Sequence, residues 1–342
     1  MRPILSRYAR RIAPAAIAAL LAVPGVVHAQ ARTGGQVSLS RIASMRLDTP
    51  AGGAPRYFDA PAVLPSGRIF ALRMPDRRLV SLEVRGASLS ATEVALPPSV
   101  QIPLALSVDA AGRLLILDPA ARRVFRFTPA GSTLREAGSF AVENGVTGLC
   151  AMGGHVYVYQ PASTSPVTAY SEAGVVVRRF GRQFGSGTPR RREAMSRAQL
   201  HCSSPNRRLL VASAATAEIQ AYGETGQPLW TRKLAGTTEM PILDVGGGRI
   251  AMVAPPEGYH LLLSLTTLKP GWVLAQYGFR APRQDTGFTS VQSRRIAVAT
   301  GEENGRQDDL PGWLASTGGD RAVSLDQSTG AAVVWRASER RR

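Results

Sequence analysis

The 342-residue chain holds 2 cysteines, 4 histidines and, as its only lysines, Lys233 and Lys269. Each scarcity excludes something. Past the first thirty residues the histidines are His155, His201 and His260, far apart and in neither an H-x-H nor an H-E-x-x-H pattern, so no zinc centre is expected. No histidine with a partner carboxylate is spaced to serve Cys150 or Cys202, which removes a catalytic thiol. A G-x-S-x-G elbow and a Walker-type P-loop are both missing. The glycine run Gly246-Gly247-Gly248 reads as a hairpin turn rather than a phosphate cradle. After the N-terminal leader, no apolar run approaches the ~18 residues of a membrane-spanning helix. The 3.6-residue apolar period of helical repeats is absent too.

What is present begins with a processing signal. Arg2, Arg7, Arg10 and Arg11 form a basic start, residues 15–27 are apolar, and Val27-His28-Ala29 offers a small-residue cleavage site. Residues 1–29 therefore read as a secretory signal peptide, placing the mature chain in the periplasm or outside the cell. No cysteine follows the apolar stretch, so no lipid anchor is expected. Of 41 basic residues the leader takes four, leaving 37 against 24 acidic ones, a formal charge of +13. Such a surface attracts anionic partners in general. The arginines are scattered rather than aligned in a stripe, which disfavours nucleic acid as the partner.

The body of the chain repeats itself. Residues 105–140 read as four short strands with Gly and Pro punctuation: 106–108, the apolar run Leu114-Leu115-Ile116-Leu117, the alternating Arg123-Val124-Phe125-Arg126-Phe127, and 134–140. The apolar run has no polar face, so this sheet needs neighbours on both sides. Copies of its second strand follow Arg68, Arg113, His155, Arg208, Arg249 and Arg295, at spacings of 45, 42, 53, 41 and 46 residues. A four-strand unit at that period predicts an all-β fold, a six-bladed β-propeller of four-stranded antiparallel blades over residues 57–338. In this register Leu261–Leu265 and 322–325 are third strands, while 273–277 and 333–337 are outer strands. Residues 30–56 supply a further candidate closing strand at 41–47, and residues 339–342 form a basic tail.

The second unit carries V-D-x-x-G-x-ϕ-ϕ-ϕ-ϕ-D (ϕ apolar) and then R-R-V-x-x-F-x-x-x-G-x-x-ϕ-R-E, and with these motifs the chain resembles the six-bladed propellers with NHL-type repeats. The match thins along the chain, since unit 5 has Pro255-Pro256 where Asp is usual. That family includes both binding proteins and enzymes, so the resemblance implies an architecture more than an activity.

Cys150 and Cys202 fall at equivalent places in the innermost strands of units 3 and 4. Two cysteines in an exported chain invite a disulfide. Equivalent positions on adjacent blades nevertheless point the same way around the ring, so a bridge and two buried thiols both stand as alternatives.

Function is expected in the loops that depart from the repeat. The link into unit 4 carries Arg190, Arg191 and Arg192, and the stretch 301–319 carries Asp308, Asp309 and then Trp313. In a six-fold ring these lie on one face across the channel mouth, forming a docking surface basic on one side and acidic, with an exposed tryptophan, on the other. The expected role is an exported, non-enzymatic binding or scaffold module for a protein or small-molecule partner, without a cofactor. The alternative is a calcium-dependent, lactonase-like hydrolase. Asp59, Glu239 and Asp285 precede or open the inner strands of three consecutive units, and converging oxygens there would suit calcium.

Overall fold

The computed structural model describes residues 37–48, 56–130, 133–282, 284, 287–307, 313–318, 320–326 and 329–339. The chain runs through β1 (Val37–Arg46) and then an antiparallel meander of β2 (Tyr57–Val63), β3 (Ile69–Met74), β4 (Arg78–Arg85) and β5 (Ser88–Glu93). The next meander is β6 (Ala105–Val108), β7 (Leu114–Asp118), β8 (Arg123–Ala130) and β9 (Thr133–Ala141). It is followed by β10 (Gly148–Met152), β11 (His155–Tyr159), β12 (Val167–Ser171) and β13 (Val176–Phe180). A two-turn helix, α1 (Pro189–Met195), leads to β14 (Ala198–Ser203), β15 (Arg208–Ser213), β16 (Glu218–Gly223) and β17 (Pro228–Lys233). A small separate hairpin, β18 (Ile242–Asp244) and β19 (Ile250–Met252), precedes β20 (Tyr259–Lys269), β21 (Trp272–Arg280), β22 (Ser290–Ala297) and β23 (Glu303–Gln307). The last strands are β24 (Trp313–Gly318), β25 (Arg321–Asp326) and β26 (Ala331–Glu339).

The unit at 105–140 shows why these residues make sheets that stack. Every residue of β7 is buried. Alternation along a strand sends successive side chains to opposite faces. Leu114 and Ile116 pack with Phe125 and Phe127 against Phe70 and Leu72 of the preceding sheet. Leu115 and Leu117 pack with Val124 against Val156 and Val158 of the following one. The β7 strand ends on a fully buried carboxylate, Asp118, which accepts from the backbone N–H groups of Ile102 (2.9 Å), Ala121 (2.9 Å) and Gln101. A buried charge with three donors is satisfied, and here it ties the incoming link to the second strand. Ahead of β7, Asp109 accepts from the N–H groups of Ala111 and Arg113, and Gly112 at φ +75° closes the turn.

First strands face one another in a closed circuit: β2 packs beside β6, β6 beside β10, β10 beside β14, β14 beside β20, β20 beside β24, and β24 beside β2. Closure comes from the chain start. β1 runs antiparallel to β26 from Val37↔Glu339 to Arg46↔Ala331, and touches β5 through one parallel bridge, Ser44↔Ser88. The described strands thus form four four-stranded sheets, one eight-stranded sheet that includes both the first and the last of them, and the hairpin.

Two sequence expectations change and one open alternative is decided. Residues 248–253 are not the second strand of a blade but half of the β18–β19 hairpin, inserted ahead of the fifth meander. The later register therefore slips: Leu261–Leu265 belongs to the first strand β20, 273–277 to the second strand β21, and 333–337 to the third strand β26, with β1 outside it. The slip has a plain cause, because a Gly-turn followed by Ile-Ala-Met-Val carries the same local pattern as a true second strand. Finally, Cys150 and Cys202 are joined in a disulfide, with Cα atoms 5.7 Å apart. The two are not equivalent in register: Cys150 faces forward and Cys202 backward into the same inter-sheet cluster, so their side chains meet.

Candidate binding face and central channel

The closed circuit of first strands surrounds a cavity of about 590 Å³. Much of its polar wall is spent holding neighbouring strands together. Gln199 on β14 spans to β20, donating from Nε2 to the Leu263 carbonyl (2.7 Å) and accepting from Leu265 N–H (3.2 Å). His201 Nε2 lies 2.7 Å from Thr267 Oγ1, which in turn donates to Ser203 Oγ at 3.2 Å. With the threonine proton directed to Ser203, His201 donates from Nε2. Burial pushes its pKa down to about 4. Thr266 Oγ1 donates to the Leu314 carbonyl (2.8 Å) and Thr317 Oγ1 to that of Thr267 (2.6 Å), stitching β20 to β24.

Asp59 is the acid of this wall. It sits at an irregularity in β2 where Ala60 takes a left-handed φ of 45°, and its Oδ1 accepts from Ala60 N–H at 2.8 Å. Burial raises its pKa, opposed by that hydrogen bond and by Arg77. Trp313 opens β24 and also lines the channel, its ring edge-on to Phe288 with centroids 6.3 Å apart.

The second feature lies where links enter the first strands. The helix α1 precedes β14 and the β18–β19 hairpin precedes β20, so both stand on the entrance side of the ring. Thr188 caps α1, accepting from Arg191 N–H at 3.3 Å, and Pro189 follows at the first helical position. Arg190 Nη1 donates to the Gly248 carbonyl (3.0 Å), and Arg191 Nε to that of Ile242 (2.6 Å). Arg192 turns back on its own loop, bonding Gln183 Oε1 (3.2 Å) and the Gly187 carbonyl (2.5 Å). Beneath these bonds Ala194, Ala215 and Ile242 form a small apolar cluster with Met195 and Ile250.

That packing uses only one face of the hairpin. Pairing sets Leu243 opposite Ala251 on the other face, with Val245 and Val253 continuing it beyond the strand ends. Leu243 (47%), Val245 (50%) and Val253 (43%) are exposed, as is Met252 (60%) at the margin. Gly246, Gly247 and Gly248, all at positive φ, form the tip.

No family model matches the chain, and none of the curated proteins searched matches it. Solved structures do. A protein of unknown function from Bacteroides thetaiotaomicron is similar at 9% identity and a TM-score of 0.54, covering 89% of this chain and 77% of its own. The WD40 domain of Neurospora crassa Pan2 is similar at 8% identity and a TM-score of 0.50, covering 87% and 95%. A streptogramin B lyase is similar at 11% identity and a TM-score of 0.50, covering 88% and 98%. The fold is a β-propeller.

In this propeller the residues singled out from sequence are dispersed. Asp59 lines the channel, whereas Glu239 does not and is paired with Lys233, Nζ to Oε1 at 2.8 Å. Asp285 lies outside the described residues, as do Asp308 and Asp309. Among the described residues no three acidic, histidine or cysteine side chains gather as metal ligands. Trp313 is a first-strand residue of the channel wall, not part of a long loop, because β23 and β24 occupy most of the stretch 301–319. Arg190 and Arg191 reach the hairpin, so their partners within the chain are backbone carbonyls. Sequence reasoning missed the apolar face of the hairpin. Its signal was available in I-L-D-V-G-G-G-R-I-A-M-V, an apolar run on both sides of three glycines where neither strand has a polar alternation.

Proposed function

We propose that the chain is an exported, six-bladed binding propeller of the NHL-like kind that docks a protein partner through its entrance face, with no catalytic step. The six-blade reading takes the eight-stranded sheet as two blades, β2–β5 and β24–β26 with β1, since one bridge alone joins them. Residues 1–29 act as the export signal in this reading. The disulfide between Cys150 and Cys202 supports an oxidising compartment, where such bonds persist.

The observation that carries the docking role is the uncovered apolar face of the β18–β19 hairpin. Leu243, Val245 and Val253 are held outward by the bonds that α1 makes to the opposite side. Exposed apolar groups gathered on a rigid support mark interaction surfaces more often than isolated ones do. Arg190 and Arg191 act by setting the pose of that hairpin, and Arg192 by fixing its own loop, while all three add positive charge around it. The partner is accordingly a protein surface with apolar anchors and an acidic rim.

A photo-crosslinking amino acid placed at Val253 in the mature protein tests this, with Arg85, on a bottom-side turn, as the control position. A discrete adduct from Val253 that disappears in Leu243→Ser/Val245→Ser is the expected result. Equal labelling from both positions, or an adduct unaffected by the double substitution, would remove the hairpin from the account. Running the capture with and without calcium separates metal-dependent binding from the metal-independent docking proposed.

A further inference from the structure

Arg126 stands in the middle of β8 where an apolar residue would be expected. Its neighbours Phe125 and Phe127 face the preceding sheet, so alternation turns Arg126, with Val124, toward the following one. It is 7% exposed, its guanidinium lies 4.7 Å over the Phe140 ring, and its Nη2 is buried with no hydrogen-bond partner. A buried guanidinium N–H without an acceptor is costly and rare in folded proteins.

Around it lies a small pocket between the sheets β6–β9 and β10–β13, lined by Asp109, Arg113, Met152, His155 and Glu172 among others. Two guanidinium groups face two carboxylates, but both carboxylates are turned to Arg113. Asp109 is already committed, accepting from Arg113 Nε at 2.6 Å and from two backbone N–H groups. Glu172 sits at the rim with its side chain 64% exposed and an oxygen 3.9 Å from Arg113 Nη2. His155 holds the Gly153 carbonyl at 3.0 Å through Nδ1. No carboxylate among the described residues bonds Arg126. Burial and the nearby Arg113 both push its pKa down, while Asp109 and Glu172 oppose them.

We propose that this pocket is a site for one small inorganic anion of halide size, held by Arg126 Nη2 and Arg113 and joining two neighbouring blades. The accessible volume, about 10 Å³, admits a single water-sized occupant and is too small for phosphate or a nucleotide. An anion there supplies the missing acceptor for Arg126 between one committed aspartate and one exposed rim glutamate, neither of which bonds it. The role is structural, since the ion would fill the seam between strand β8 of one sheet and the β10–β11 turn that lines the pocket from the next.

The test uses the mature protein in chloride and in gluconate at one ionic strength and pH. Thermal unfolding should show a saturable rise in Tm with chloride, on the order of 5 °C at a hundredfold excess over Kd. Arg126→Met, which keeps the length and apolar packing of the side chain, should lose that rise. Crystals grown with bromide should show its anomalous signal within hydrogen-bonding distance of Nη2. Wild-type Tm indifferent to halide, or bromide-grown crystals holding only a water in the pocket, would overturn the proposal even if Arg126→Met failed to fold. An equal chloride response in wild type and variant would overturn it as well.

Discussion

His201 and Asp59 share the channel wall yet respond to pH in opposite senses. Burial holds the folded pKa of His201 at about 4, below the roughly 6.5 of an unfolded histidine. Protonation therefore favours the unfolded chain, and stability from this residue is complete above pH 6.5 and falls as the pH drops toward 4. The channel side of the imidazole is partly open, which limits the loss to about 1–3 kcal/mol. In His201→Gln the side chain still donates to Thr267 but cannot titrate, so its unfolding midpoint should be flatter across that window. Asp59 runs the other way. Its raised pKa means that the charged form is penalised in the folded state, and the penalty is felt as the pH rises past the ordinary carboxylate range. Asp59→Asn should raise the urea midpoint at pH 7 and leave it unchanged near pH 3. A drop at pH 7 would show that a bound cation or a stronger pairing with Arg77 outweighs desolvation.

At the scale of strands, the disulfide and the hairpin show where sequence stopped being legible. The meander at 105–140 could be read because each cue agreed: an Asp-Gly turn, four consecutive apolar residues and an alternating third strand. The first four units were legible for that reason. The hairpin at 242–252 imitates the cue for a second strand while serving as an insertion, and one false copy displaced every later assignment. The disulfide was hidden differently. Strand periodicity gives the alternation within β10 and within β14, but not which inter-sheet layer each cysteine enters, and the two prove to face each other. The candidate site fared worse than the fold, because residues at blade entrances are set by loop geometry that no period encodes. The bridge closes 52 residues of sequence, and opening it with Cys150→Ala/Cys202→Ala should cost about 2–4 kcal/mol. Chemical denaturation of the oxidised protein against the double variant measures this. Within β7, Ile116→Ala should cost about 2–5 kcal/mol, since the side chain is fully buried between two sheets.

For the whole molecule, the decisive contact joins the two ends of the chain. Leu39 of β1 packs with Leu274, Leu314 and Trp335, and Ala43 enters the cluster shared by β2–β4, β25 and β26. Removing residues 37–46 leaves β26 as a bare edge and opens that core. The truncated protein should lose its single cooperative melting transition and be cut by protease near β26 at low enzyme ratios. A truncated form that melted in one step at the wild-type temperature would show that the ring closes without its first strand.

The pairing of β1 with β26 also sets an order of events. The first described strand pairs with the last, so during synthesis β1 stays without its neighbour until β26 has emerged. Such a ring cannot finish early, however quickly its middle sheets form.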